Sequence, residues 1–436
     1  MYGSAARFVS RLTTNTLALV LAGGRGERLG ALTDWRTKPA VPFGGKFRII
    51  DFTLSNCLHS GIRKVCVLTQ YKSHSLIQHV MRGWTYLNTE RGDFLDVVPA
   101  QQWTDDETWF LGTADAVYQS LDIIIGYGVE HVLILAGDHV YNMDYGEMLA
   151  EHVNTGADFT VACLPVPLAD AAGQFGVMEA EKSGRIIGFE EKPTVPWPMP
   201  DDPGRALASM GIYIASLKYL IEVLHQDAAD TVSAHDFGKD VIPKALSSGD
   251  HLQAYRFHNP HNDGPPYWRD VGTLDAYYDA NLELLSPAPP MDLYNPSWPT
   301  LTYQPQLPPA HFTDGGRWHG IEDSMVSGGC VIEASRLRHS ILFSNVKVHE
   351  GCALDSVLAL PGCEIGAGSK LTKVILDNRC QIPAGTVIGA DAVSDRQAYH
   401  VTENGVVVVN RKLLGLGERY MPGVLPQAAC QPDEPK

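Results

Sequence analysis

The chain has 436 residues, 44% of them hydrophobic and 19% charged, the composition of an ordinary folded protein of about two to three domains. A formal net charge of −16 argues against nucleic acid or an anionic membrane surface as the main partner, because both need a positive footprint. The first sixteen residues lack the apolar core of a signal peptide, no apolar run reaches membrane-spanning length, and eight cysteines form no CxxC or CxxH spacing, so a cytoplasmic location with reduced thiols is expected.

Residues 17–285 alternate short apolar runs with amphipathic stretches. Strands are expected at Leu17–Ala22, Lys64–Thr69, His131–Gly137, Phe159–Leu164 and Met210–Ala215. One helix is expected over Thr113–Ile125, with Val117, Leu121, Ile124 and Ile125 on one face. The alternation predicts an α/β, Rossmann-like, doubly wound and mostly parallel sheet, with ligands beyond the carboxyl ends of its strands.

The first expected strand runs into a loop with three glycines, Gly23, Gly24 and Gly26. Such a loop bares backbone N–H groups that can hydrogen-bond phosphate or a base edge, although a plain tight turn is the alternative. The spacing is neither GxxxxGK[ST] nor GxGxxG. Arg25, Arg28, Arg36, Lys38, Lys46 and Arg48 concentrate positive charge just behind it, in a chain that is otherwise acidic. In LAGDHVY, Asp138 follows the expected strand from His131 and is either a helix cap or a metal ligand. Asp270 in WRDVGT again lies beside a glycine. Glu191 and Lys192 in FEEKP form either a solvated turn or an anion and hydroxyl site, and Asp236 in HDFGKD either caps a helix or faces a ligand.

Eight prolines between Ser286 and Ala310 exclude a helix there and mark a linker, while Tyr294, Trp298 and Tyr303 imply that it packs along a surface. Beyond it, Val331, Val348, Ile365 and Ile382 recur every seventeen residues, as do Leu337, Leu354, Leu371 and Ile388; Ile341, Val357 or Leu358, and Ile375 follow less exactly. Three aliphatics per seventeen residues fit the inward positions of a parallel β-helix, with corners at Pro361-Gly362, Gly366-Ala367-Gly368 and Pro383-Ala384-Gly385. Cys363 and Cys380 hold equivalent positions and read as small apolar fillers rather than a disulfide or metal pair. The expected domains are a catalytic domain at 1–285, a linker at 286–310 and a left-handed β-helix at 311–436.

GGRGERL, KPAVPFGGKFRIIDFTLSN, WFLGTADAV, LAGDHVY, FGVM, FEEKP, SMGIY, HDFGKD and WRDVGT occur in this order. Together with the C-terminal repeats they closely resemble the bacterial glucose-1-phosphate adenylyltransferase family of sugar-1-phosphate nucleotidyltransferases. The resemblance implies transfer of AMP from ATP to α-D-glucose 1-phosphate, giving ADP-glucose and pyrophosphate for glycogen or α-glucan synthesis. It places Asp138 and Asp270 on one Mg²⁺ beside the α-phosphate, Arg28 on the departing pyrophosphate and Lys38 on the triphosphate. Lys192 would grip the sugar phosphate, with Glu191, Gly176, Ser209, Tyr213 and Asp236 around the glucose. Leu21, Ala22, Gly23, Gly24, Arg25, Gly26, Gln70, Phe110, Gly112, Thr113 and Asp138 would bind the nucleotide. A homotetramer with small-molecule effectors is also implied, Arg36 and Arg48 being candidate effector contacts.

The chain departs from the family pattern at Trp35, Pro42 and Gly126, which stand where many members carry basic residues of an activator site, and Phe110 stands where tyrosine is frequent. Three other readings compete: transfer of another nucleotide or to another sugar, a non-catalytic regulatory subunit, and an acyltransferase of the hexapeptide type using His339 or His349. The joint presence of Asp138, Asp270, Lys192 and Arg28 opposes the second, and the lack of a loop insertion bearing a catalytic histidine opposes the third.

Overall fold

The computed structural model describes residues 2–24, 26–85, 87, 89–100, 109–259, 264, 266–313 and 320–416. They form two compact units, one built from residues 1–43, 47–276 and 290–304, the other from 44–46, 277–289 and 305–436. No helix among the described residues is long and apolar enough to cross a membrane.

The first unit is organised by a nine-stranded sheet: β1 (Thr16–Leu21), β2 (Lys64–Thr69), β3 (Phe94–Pro99), β4 (His131–Ala136), β5 (Phe159–Pro167), β6 (Gly176–Ala180), β7 (Ile186–Glu191), β8 (Arg205–Ser216) and β9 (Leu252–Arg256). Their order is β7-β6-β8-β4-β1-β2-β3, with β5 pairing β8 and β9. The run β4-β1-β2-β3 is parallel, Leu17 facing Lys64 on one side and Val132 on the other. Strand β8 enters antiparallel to β4, β5 and β6.

The reason for two covered faces is legible in β1. Leu17 and Leu19 point into one core, with Cys66, Leu68, Ala114 and Val117, whereas Ala18 and Val20 point into the opposite one, with Val65, Val67, Ile50 and Leu54. A strand apolar on both faces must be buried on both, as strands of parallel sheets are.

The single helix expected over 113–125 is two, α1 (Thr113–Tyr118) and α2 (Leu121–Gly126). Ser120 Oγ donates to the Ala116 carbonyl at 2.9 Å, a local bond that interrupts the helical ladder at the junction. Val117, Leu121 and Ile124 are buried as expected across the break, but Ile125, at the end of α2, is 48% exposed. Within the same unit, residues 290–304 of the proline-rich segment lie against the helix Ile49–His59. Trp298 Nε1 donates to Asn56 Oδ1 at 2.9 Å, and Thr302 Oγ1 donates to Asp51 Oδ2 at 2.6 Å.

The second unit is a left-handed β-helix of stacked parallel strand pairs. Two of the expected ladders need correcting. The first begins at Ile332, not Val331: Ile332 faces Val348, which faces Ile365 and then Ile382, because the coil from 332 to 348 is one residue shorter than the two that follow. The second, Leu337–Leu354–Leu371–Ile388, stands as read. In the third, Ile341, Leu358 and Ile375 align but lie outside the cluster that fills the coil; their neighbours Leu342, Ala359 and Leu376 belong to it. Adjacent strand residues point to opposite faces, so a shift of one residue exchanges inside for outside. Cys330, Cys363 and Cys380 are buried free thiols in this interior.

Candidate active site

Beyond the carboxyl ends of β1 and β4 lies a cavity of about 830 Å³, within the first unit. Leu21 closes β1, and the chain then turns through Gly23, Gly24 and Gly26 along the cavity wall. Gly26 is left-handed, with φ 64°, and a Cβ on it would stand 2.8 Å from Lys38 Cβ. Only glycine lets the loop and the Lys38 segment approach this closely.

Lys38 joins the two acidic positions. Its Nζ lies 3.0 Å from Asp138 Oδ2 and 2.5 Å from Asp270 Oδ1. Asp138 follows β4 directly, and Asp270 is brought beside it by a short antiparallel ladder in which Asp270 faces His139. Burial resists ionisation of Asp138, but the charges of Lys38 and His139 outweigh it and hold the carboxyl at about 2. Burial disfavours the Lys38 ammonium, yet the two carboxylates raise its pKa above the ordinary value. Burial lowers that of His139. Arg28 Nη2 reaches Asp270 Oδ2 at 3.5 Å from a largely solvent-exposed side chain.

Also on the cavity wall, Glu191 ends β7 opposite Gly176. A Cβ on Gly176 would stand 2.6 Å from the Phe189 ring and 2.8 Å from Glu191 Oε2, so glycine is required there too. Burial raises the pKa of Glu191. Lys192 holds left-handed backbone at φ 52° and places Nζ 3.8 Å from Glu191 Oε1. Asp236 has both expected characters: it accepts from the N–H groups of Gly238 and Lys239 as a helix cap, and it lines the cavity. Burial raises the pKa of Tyr213.

The cavity wall contains Leu21, Gly23, Gly24, Gly26, Lys38, Gln70, Phe110, Gly112, Thr113, Asp138, Gly176, Glu191, Ser209, Tyr213, Asp236 and Asp270. It does not contain Ala22, Arg28 or Lys192; Ala22 is buried, its N–H bonded to the Leu68 carbonyl at 2.9 Å. Arg25 lies outside the described residues. Arg36 and Arg48 are also away from the wall. Arg48 Nη1 donates to the carbonyls of Ala40 and Ser75, both at 3.2 Å, and burial together with Arg36 lowers its pKa to about 10.

Sequence reading missed Tyr71, Trp109, Gln174, Phe175, Met210, Gly211, Trp268 and His139, all of which line the cavity. Most adjoin residues that were singled out, so adjacency to a motif was the available signal. His139 is the informative omission: with Asp138 and Asp270 it offers ligand atoms within 4.8 Å of one another. Two carboxylates suit a hard divalent cation such as Mg²⁺, and the neutral imidazole beside them suits one less well.

A glycine-lined loop, converging carboxylates at strand ends and a β-helix unit are the features of a nucleotidyl transferase. The nucleotidyl transferase family model matches residues 17–286, and the model described as GlmU-like, C-terminal hexapeptide matches residues 308–409. The chain is 51% identical over 420 residues to the glucose-1-phosphate adenylyltransferase of Nitrosomonas europaea, covering 95% of this chain and 97% of that one. It is 53% identical over 415 residues to the enzyme of that name from Methylococcus capsulatus, covering 94% and 97%. Glucose-1-phosphate adenylyltransferase 2 of Alkalilimnicola ehrlichii is 53% identical over 411 residues, covering 94% and 96%. The chain belongs to the glucose-1-phosphate adenylyltransferase family.

Proposed function

We propose that this enzyme transfers the adenylyl group of ATP to α-D-glucose 1-phosphate, forming ADP-glucose and pyrophosphate for glycogen or α-glucan synthesis. The observation that carries the reading is the meeting of Lys38, Asp138 and Asp270 where the glycine loop opens into the cavity. Asp138 and Asp270 would hold Mg²⁺, which when bound offsets the charge that develops as one phosphate attacks another.

The remaining work belongs to the chain. The N–H groups of the Gly23–Gly26 loop and the ammonium of Lys38 bind and align the triphosphate. Arg28, solvent-exposed beside Asp270, meets the leaving pyrophosphate, for which a bidentate guanidinium is suited. Lys192 binds the sugar phosphate, and Glu191, Ser209, Tyr213 and Asp236 orient the glucose so that its phosphate oxygen lies in line with the bond that breaks. No covalent enzyme intermediate is needed.

The Asp138 carboxyl, whose pKa the Lys38 ammonium lowers against the effect of burial, supports an active enzyme over a non-catalytic subunit. The acyltransferase reading is disfavoured because both ring nitrogens of His349 are engaged, Nδ1 with Glu333 at 3.3 Å and Nε2 with Glu364 at 2.9 Å. A homotetramer responding to small effectors and residing in the cytoplasm is part of the same proposal, consistent with buried free thiols. The test is pyrophosphate release and ADP-glucose formation with each of the four nucleoside triphosphates and several sugar 1-phosphates. Preference for another base or sugar would replace this reading.

A further inference from the structure

Behind the cavity wall, His235 and Asp227 form a pair that the reaction described above does not use. Nδ1 of His235 lies 2.8 Å from Oδ2 of Asp227, a nearly fully buried carboxylate near the end of the helix Leu217–Ala228. Ser233 Oγ donates to Asp227 Oδ1 at 2.7 Å and accepts from the His235 N–H at 2.9 Å, closing a ring of three residues. The ring holds His235 at φ 55°, a left-handed conformation that a side-chain-bearing residue seldom adopts without such support.

That conformation decides where the His235 carbonyl points. It accepts from Ala114 N at 2.8 Å, and it lies so close to Gly112 that a Cβ there would come within 2.2 Å of it. The next residue, Asp236, accepts from Thr113 Oγ1 at 3.0 Å. All three line the cavity, and in the adenylyl-transfer reading Gly112 and Thr113 bind the nucleotide and Asp236 the sugar, so one pinned backbone segment sets both.

We propose that His235, locked by Asp227, is a positioning residue that aligns the nucleotide and sugar subsites with each other. The inference rests on the adenylyl-transfer reading above. It predicts a coupled kinetic signature: loosening the segment weakens both substrates together, because the Gly112–Thr113 turn and Asp236 lose their common anchor.

The experiment compares the full-length protein with His235→Ala, His235→Asn and Ser233→Ala, measuring KM for ATP, KM for glucose 1-phosphate, kcat and the thermal midpoint. His235→Ala is expected to raise both KM values by about fivefold or more, with a thermal midpoint within a few degrees of the wild type. His235→Asn, which tolerates left-handed backbone and can hydrogen-bond Asp227, is expected to recover most of the loss. Ser233→Ala, a gentler opening of the ring, should move both KM values in the same direction and supplies the comparison if His235→Ala does not fold. Unchanged KM values, a rise for one substrate alone, or losses that Asn does not rescue would overturn the inference. ADP-glucose formation by the wild type tests the parent reading separately, since the inference is judged on the ratios of variant to wild type.

Discussion

The Lys38 ammonium lies 2.5 Å from the carboxylate of Asp270, 232 residues further along the chain, and the same ammonium reaches Asp138 at 3.0 Å. One cation thus neutralises two carboxylates that would otherwise repel each other, at the position proposed for a divalent metal. Lys38→Met should lower the thermal midpoint, through loss of charged hydrogen bonds of roughly 1.5–3 kcal/mol. Because the carboxylates then lack their counter-charge, Mg²⁺ should raise the midpoint of the variant more than that of the wild type. Thermal unfolding with chelator and with excess Mg²⁺ checks this, and an identical Mg²⁺ response in both proteins would refute it.

Asp138→Asn should leave the fold intact and remove most turnover. The amide is a poorer ligand for a hard cation and takes a negative charge from its surroundings. A loss of ~3–4 kcal/mol of transition-state stabilisation corresponds to roughly 10²–10³ in kcat. A variant within about threefold of the wild type would exclude Asp138 as a metal ligand.

Lys192→Ala should act on one substrate. Its ammonium stands beside Glu191, and a charged hydrogen bond of ~1.5–3 kcal/mol is worth about 10- to 150-fold in KM for glucose 1-phosphate. The KM for ATP should barely move. Equal weakening of both substrates would show that Lys192 is no dedicated sugar-phosphate contact.

Activation by sugar phosphates should be weak or directed to a different ligand. Trp35, Pro42 and Gly126 replace basic positions of the family pattern, each lost charged hydrogen bond being worth ~1.5–3 kcal/mol. Of the two arginines that remain, Arg48 already spends donors on the carbonyls of Ala40 and Ser75. Initial rates with fructose 1,6-bisphosphate, fructose 6-phosphate and pyruvate provide the check. Strong activation by the bisphosphate would contradict the argument.

Truncation after Ala310 should damage solubility and assembly before chemistry. The segment 277–289 belongs to the β-helix unit, where Tyr278 Oη donates to the Ser356 carbonyl at 2.6 Å and Tyr277, Leu282 and Leu284 are buried. Cutting away the coils strands these side chains in water, at about 1.5–3 kcal/mol for each large apolar group. Light scattering on truncated and full-length protein tests the expectation. A soluble truncation with the full subunit count would place the assembly interface in the first unit.

What the sequence by itself determined was whatever local periodicity and short motifs encode. The run Leu17–Val20 is apolar at every position, which requires a strand covered on both faces, and Gly26 announces a backbone that must come close to something. The seventeen-residue repeat likewise implies stacked coils, since only stacking buries its aliphatics. Tertiary structure decided what depends on phase and on partners distant in the chain. Whether Ile341 or Leu342 faces the interior turns on a one-residue register that repeat spacing cannot resolve, and Ile125 is exposed at the end of its helix while Ile124 beside it is buried. From the sequence Asp138 reads as a cap or a ligand; that Asp270 and His139 stand beside it on an antiparallel ladder, with Lys38 between the carboxylates, is visible only in the fold. A carboxylate's chemistry is set by the charges within a few ångströms of it, and those charges come from segments hundreds of residues apart, brought together only by the folded chain.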